Sequence, residues 1–251
     1  MNLDEKVQNV ATLLEHVGQA YPPAGFANSF GAEDVVLTDL IARHCPGIEI
    51  FTLDTGRLPE ATHALMRELA DRYDLRIRIF YPDAAEVEAF AATHGPNAFF
   101  NSIESRKACC EARKVRPLRR ALAGKQAWIT GLRREQSPTR ATITLSEFDR
   151  EHGLQKFNPL FDWTRKEVWA YIHDHDLPYN ALHDAGFSSI GCAPCTRAIT
   201  VGEDERAGRW WWEDANTKEC GLHIGTSGTV PARPTGVVAQ VNPSEVDKVI
   251  S

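Results

Sequence analysis

The 251-residue chain reads as an open α/β protein, a mostly parallel sheet with helices on both faces. Two observations predict this. Short apolar strand patterns alternate with amphipathic helix patterns at close spacing, and three strands run straight into glycine-bearing polar turns. The first element is a helix over residues 4–19, which gathers Val7, Val10, Leu13, Leu14 and Val17 on one face. GFANSFGAED is a short strand entering a glycine turn, and VVLTDLIARH is the helix behind it. IEIFTLDTG is the second strand, residues 59–73 a helix, LRIRIFYP the third strand and residues 83–94 another helix. A long helix is expected over 104–123, with QAWITG as the next strand. In open α/β sheets ligands sit beyond the carboxyl ends of strands. SFGAED, LDTGR and ITGLRREQSPTR should therefore converge on one edge of the sheet.

The pattern changes after about residue 160. WTRKEVWAYIHDH is a helix candidate, no long strand follows, and the chain from about 186 is rich in glycine, cysteine and tryptophan. GTSGTVPARPTG has little apolar material to pack, so one domain is expected over residues 1–225, followed by a flexible tail over 226–251. The net charge of −6 and the lack of a basic run argue against a nucleic-acid partner. The N-terminus carries acids and no apolar stretch suited to a signal peptide, and no span suits a membrane helix. A cytoplasmic location is the expectation; the oligomeric state is left open.

In that compartment six cysteines do not form a disulfide frame. Cys45 follows an apolar helical run and reads as a buried structural thiol. Cys109-Cys110 and Cys192-x-x-Cys195 make two pairs about eighty residues apart. Four thiolates suit either zinc or an iron–sulfur cluster. Adjacent cysteines on a helix diverge by about 100°, which a multi-iron cluster accommodates better than one tetrahedral ion. Cys220 is left without a partner, between Lys218 and His223, whose charges favour a thiolate. It is a candidate nucleophile.

Basic residues recur at loop positions. Lys114 lies about one helical turn beyond Cys110, Arg133, Arg134 and Arg140 flank a Ser-Pro-Thr turn, and Arg206 and Arg209 are spaced to share a helix face. Guanidinium groups suit phosphate and sulfate oxygens, and the SFGAED turn offers backbone N–H groups at a helix start.

Together SFGAEDVVL, LDTGRLPEAT, KACCEARKVRPL, GLRREQSPTR, LPYNALHDAGFSSIGCAPCTR, EDERAGRWWWE and KECGLH resemble, in content and order, the assimilatory adenylyl-sulfate reductases. The resemblance covers roughly residues 25–225. It implies an adenine-nucleotide α-hydrolase-like fold related to the PP-loop ATP pyrophosphatases. It implies a 4Fe–4S cluster on Cys109, Cys110, Cys192 and Cys195, and a nucleophile at Cys220. The nucleotide would lie over Ser29, Gly31 and Asp34, over Leu53, Asp54, Gly56 and Arg57, and against Gly131 and Arg133. Lys114, Arg140, Arg206, Arg209 and His223 would hold the phosphosulfate. Cys220 would take the sulfonate from adenylyl sulfate, release AMP, and then meet reduced thioredoxin or a glutaredoxin-like donor; a mobile tail would let it reach both. Three other readings remain: a reductase of 3′-phosphoadenylyl sulfate that carries a cluster, a PP-loop sulfur transferase using ATP, and a zinc-stabilised nucleotide-binding module.

Overall fold

The computed structural model describes residues 1–214, so Cys220, His223 and the segment 226–251 lie outside the described residues. The strands are β1 (Ala24–Ala27), β2 (Glu49–Leu53), β3 (Arg78–Phe80), β4 (Ala127–Ile129), β5 (Ser146–Asp149) and β6 (Leu154–Phe157). They form one sheet in the order β3-β2-β1-β4-β6-β5. Every pairing is parallel except that of β5 with β6. The chain builds outward from β1 to β3, then returns to lay β4 on the other side of β1. The strand order therefore reverses between β1 and β4, where Ala24 pairs with Ala127 and Phe26 with Ile129. A crevice opens at such a reversal because the connections on its two sides leave toward opposite faces.

Helix α1 (Leu3–Ala20) starts at a reciprocal cap, Asn2 with Glu5, and buries Val10, Leu13, Leu14 and Val17. Helix α2 (Ala32–His44) is buried almost all round, from Ala32 to Ile41, so its weak periodicity reflects a central position rather than a surface one. Helix α7 (Arg165–Asp174) begins at the Thr164–Glu167 capping box. These three helices, with Leu65, Met66 and Leu69 of α3 (Glu60–Tyr73), close one face of the sheet in a single apolar cluster with Phe26, Ile50 and Ile129. The other face holds Phe51, Phe80, Leu118, Leu122, Trp128 and Leu154. Helices α3 and α4 (Ala84–His94) follow β2 and β3.

Two features go beyond the sequence reading. The helix expected over 104–123 runs from Ile103 to Leu122 but changes type: α5 (Ile103–Cys110) passes into a π-helical segment, Glu111–Val115, before α6 (Arg116–Leu122). In addition, the β5–β6 hairpin fills a stretch in which no strand was expected. β5 is a mostly polar edge strand, with Phe148 about half exposed, so its residues carry no alternating apolar signal. Among the described residues no helix is long and apolar enough to cross a membrane.

Asp39 pins α2 to its neighbours. Its buried carboxylate accepts from Tyr73 Oη at 2.6 Å, Tyr171 Oη at 2.6 Å and Arg43 Nε at 2.9 Å. Burial, reinforced by this carboxylate, pushes the Tyr73 hydroxyl up to about 12 and raises that of Tyr171 as well. Both therefore remain donors at neutral pH. Asp39→Ala strands two tyrosine hydroxyls and should cost about 3–5 kcal/mol in denaturant unfolding. Tyr171→Phe removes one bond to a charged group and should cost about 1.5–3 kcal/mol.

Candidate active site

The crevice at the strand reversal is a cleft open to solvent at its mouth, lined by Ala27, Asn28 and Ser29 at the end of β1 and by Thr130, Gly131 and Leu132 after β4. Its floor is the turn after β1. Ser29 donates to Asp34 Oδ2 through its backbone N and its Oγ, both at 2.6 Å. Asp34 sits in the first turn of α2 with its carboxylate against Gly131, just beyond β4. A methyl group at Gly131 would overlap Asp34 Oδ1 and lie 3.0 Å from Glu33 Cβ, so the two strand ends meet closely only because residue 131 is glycine. Burial pushes the Asp34 carboxyl up to about 7, against the Ser29 hydrogen bonds and the charge of Arg140.

Of the expected residues, Ser29, Gly31, Asp34, Leu53, Lys114, Gly131, Arg140, Arg206 and Arg209 all line this cleft. Arg206 and Arg209 do not share a helix face, because residues 201–212 run through turns and a bridge between Thr196 and Arg209. Arg209 is 6 % exposed, and among the described residues no carboxylate pairs with it. Its Nη1 donates to Ile190 O at 3.2 Å and its guanidinium lies 4.7 Å from the centre of the Trp210 ring.

Four expected residues lie elsewhere. Arg133, with a side chain 1 % exposed, is surrounded by carboxylates: Nε donates to Glu33 at 2.7 Å, Nη2 to Glu205 at 3.0 Å and Nη1 to Glu135 at 3.2 Å. A guanidinium so engaged is a cross-link between segments, not an anion ligand. Burial pushes Glu205 up and opposes the fall of Glu33, whose carboxyl Arg133 nonetheless holds below the usual range. Asp54 turns into its own loop, accepting from Gly56 N at 2.8 Å and facing His63 Nε2 at 2.9 Å. Gly56 abuts Arg113, and Arg57 stacks over Phe99 and donates to Pro96 O at 2.6 Å. Of the residues expected at the end of β2, only Leu53 thus remains in the cleft.

The loop after β2 faces a second, smaller cavity, whose lining includes Cys109, Cys110, Cys192 and Cys195. Ala193 N donates to Arg57 O at 2.8 Å, Cys192 Sγ lies 3.2 Å from Thr55 Oγ1, and Arg113 Nη1 donates to Thr55 O at 2.6 Å. The fold therefore brings the two distant pairs around one space. Arg57, Arg106, Arg113 and Lys114 line it too, a setting that suits four thiolates carrying net negative charge. Burial pushes the Cys195 thiol up to about 11 and raises that of Cys109, so both would need such counter-charge to ionise. Among the described residues no group of three or more His, Cys, Asp or Glu is arranged around a single metal-ion position. Lys114 borders both spaces, the cysteine cavity and the cleft.

Sequence reasoning passed over Arg106 and Arg113. Their spacing around Cys109-Cys110 places them on neighbouring turns, a signal that was available. Arg106, fully buried, forms a forked pair with Glu213 at 2.6 and 3.0 Å and stacks on Trp210. The Glu213 partner lies more than a hundred residues away, and no local pattern announces it.

Residues 24–198 match the phosphoadenosine phosphosulfate reductase domain. The chain is 54% identical over 84% of its length to an adenosine 5′-phosphosulfate reductase of Allochromatium vinosum, covering 82% of that protein. It is 50% identical over 92% of its length to the enzyme of the same name from Burkholderia cepacia, covering 92% of it. Among solved structures it resembles a phosphoadenylyl-sulfate reductase from Candida auris, with a TM-score of 0.65 and 28% identity over 76% of this chain and 90% of that one. An FMN adenylyltransferase from Candida glabrata shares the fold alone, with a TM-score of 0.55 and 13% identity over 98% of this chain and 82% of that one.

Asp34 gives the cleft a pH signature. A carboxyl raised on folding contributes most stability below its unfolded value near 4 and loses that contribution as pH rises through about 7. Asp34→Asn, which cannot ionise, should gain stability relative to the parent as pH rises from 4 to 8, by a few kcal/mol at most. Thermal midpoints of both proteins across that range measure it; a constant difference would mean that Asp34 stays charged in the fold.

Proposed function

The chain belongs to the adenosine 5′-phosphosulfate reductases, within the phosphoadenosine phosphosulfate reductase domain family, and from that membership we propose that it reduces adenylyl sulfate to sulfite and AMP in sulfate assimilation. The observation that carries the reading is Arg209, a buried cation without an acidic partner among the described residues, on a cleft that Lys114, Arg140 and Arg206 also line. A buried charge needs a counter-charge, and the phosphosulfate of adenylyl sulfate supplies one. Glu33 and Glu205, which also border the cleft, are taken up by Arg133.

In this reading the Cys220 thiolate attacks the sulfur of the bound nucleotide. A sulfur–sulfur bond forms as the sulfur–oxygen bond to the phosphate breaks, and AMP leaves with the electron pair. Fixed guanidinium and ammonium groups stabilise the charge that gathers on the departing phosphate. Cys220 is left as the S-sulfocysteine. A thiolate of reduced thioredoxin, or of a glutaredoxin-like donor, then attacks Cys220 Sγ and displaces sulfite; its second thiol resolves the mixed disulfide. The donor dithiol gives up two electrons and the transferred sulfur gains them.

Cys109, Cys110, Cys192 and Cys195 are the residues that would hold a 4Fe–4S cluster. Bound there, it would supply a fixed charged body beside Lys114 and not electrons, since the dithiol accounts for both. Lys114, bordering both spaces, would be oriented by the cysteine cavity while it meets the phosphosulfate. The adenine and ribose would lie over Ser29, Gly31, Asp34, Leu53 and Gly131.

Anaerobic incubation with adenylyl sulfate alone, followed by intact mass, tests the reaction class: a sulfite-sized adduct should appear on the parent protein and be absent from Cys220→Ser. An adduct on Cys220→Ser would overturn the nucleophile assignment. Arg209→Ala or Arg206→Ala should weaken adenylyl sulfate binding by roughly one to two orders of magnitude, as loss of a contact to a charged group does. AMP, lacking the sulfate, should lose less. Cys192→Ser should lose the iron–sulfur absorption; full iron content would contradict the four-thiolate assignment. Turnover on adenylyl sulfate against its 3′-phosphorylated form separates this reading from the activity named for the Candida auris neighbour.

A further inference from the structure

Gly191 precedes the second cysteine pair and lies directly against the Arg209 guanidinium. A Cβ built on Gly191 would stand 2.7 Å from Arg209 Nη1 and overlap Cζ and Nη2. The backbone at Gly191 is outside the left-handed region, so its conformation does not require glycine; the place that the Arg209 guanidinium occupies does. The guanidinium also lies over the ring of Trp210, 4.7 Å from the centroid. Trp210 is 2 % exposed, and Arg106 also lies over its ring, 4.7 Å from the centre. The walls of this slot are fixed to each other: Trp210 N donates to Cys195 O at 3.1 Å, and Gly191 N donates to Thr196 Oγ1 at 3.2 Å, which itself donates to Cys192 O at 3.0 Å. Within the slot Nη1 reaches Ile190 O, while Nε has no acceptor among the described residues.

We propose that Gly191 is a positioning residue: its missing side chain makes the seat that presents Arg209 to the phosphosulfate, so the loop carrying Cys192 and Cys195 sets the aim of a substrate-binding cation. The inference rests on the adenylyl-sulfate reading for the identity of the ligand, and on the slot alone for the seating of Arg209. The Gly191–Cys192 loop serves both spaces, much as Lys114 does from the other cysteine pair. Each pair would then carry one phosphosulfate cation, Lys114 beside Cys109-Cys110 and Arg209 beside Cys192-x-x-Cys195.

The nearest atoms that a methyl at position 191 meets are at the end of a long side chain, so Gly191→Ala should fold, keep its thermal midpoint within about 3 °C and retain its iron. In a Cys220→Ser background it should bind adenylyl sulfate roughly tenfold or more weakly, with the loss made through Arg209. A double-mutant cycle tests that route: Gly191→Ala added to Arg209→Ala should produce no further loss. Losses that simply multiply would overturn the proposal, because Gly191 would then act independently of Arg209. If Arg209→Ala itself leaves adenylyl sulfate binding unchanged, the ligand assignment fails. A crystal structure of Gly191→Ala judges the seat separately: a displaced guanidinium supports it, and one still in its place beside residue 191 refutes it.

Discussion

Arg133 is the interaction on which the organisation of the cleft depends. One buried guanidinium ties together the first turn of α2 through Glu33, its own loop through Glu135, and the cysteine-rich segment through Glu205. Glu135 continues the link by accepting from Arg165 N at the start of α7. Burying a charge in this way is tolerable only with such surroundings. The consequence for the site is a sorting of charge. Glu33 and Glu205, which border the cleft, are drawn onto Arg133, while Arg206, beside Glu205 in the chain, and Arg209 stand on the cleft wall. A residue that looks like a ligand for anions is instead taken up by Glu33, Glu135 and Glu205.

The cysteine cavity shows a similar economy. Cys109 packs in an apolar cluster with Phe90, Phe99, Cys195 and Trp210, while adjacent Cys110 leaves the helix in another direction and still borders the same cavity. The π-helical segment begins one residue later. Such a segment shifts the phase of the helical turns beyond it and is often found at functional sites. Here it lies between the cysteine pair and α6, and it contains Arg113, which binds the loop after β2, and Lys114, which borders the cleft. The two spaces are thus joined by a few side chains on short, hydrogen-bonded segments, a suitable frame for groups that must keep a fixed distance.

The tryptophan run shares in this frame. Trp210 adopts φ of 41°, a left-handed conformation that a bulky residue rarely takes. Arg106 and Arg209 both lie over its ring, and the nearby Glu213 is clamped by Arg106. The backbone strain at Trp210 is therefore maintained by its cationic neighbours. The position of Arg209 cannot be separated from that of the segment that leads on toward Cys220.

Much of this was legible in the sequence. Strand–helix alternation determined the parallel sheet, and the turns SFGAED and ITG determined the cleft edge, because a strand end and a glycine turn are local features read over a few residues. Two cysteine pairs and a set of basic loop residues determined the chemistry available. Tertiary structure alone decided which cations face the cleft: Arg133 and Arg140 are seven residues apart in one motif, yet Glu33, Glu135 and Glu205 claim the first and the second borders the cleft. It decided that Asp54 turns into its own loop, onto Gly56 N and His63, and that Arg57 lines the cysteine cavity against Phe99. It also decided the role of Gly191, since the need for a missing side chain arises only where Arg209 comes to lie. Local residue types fix which groups a chain can offer, whereas burial and long-range pairing, which depend on the closed fold, fix which of them face the cleft.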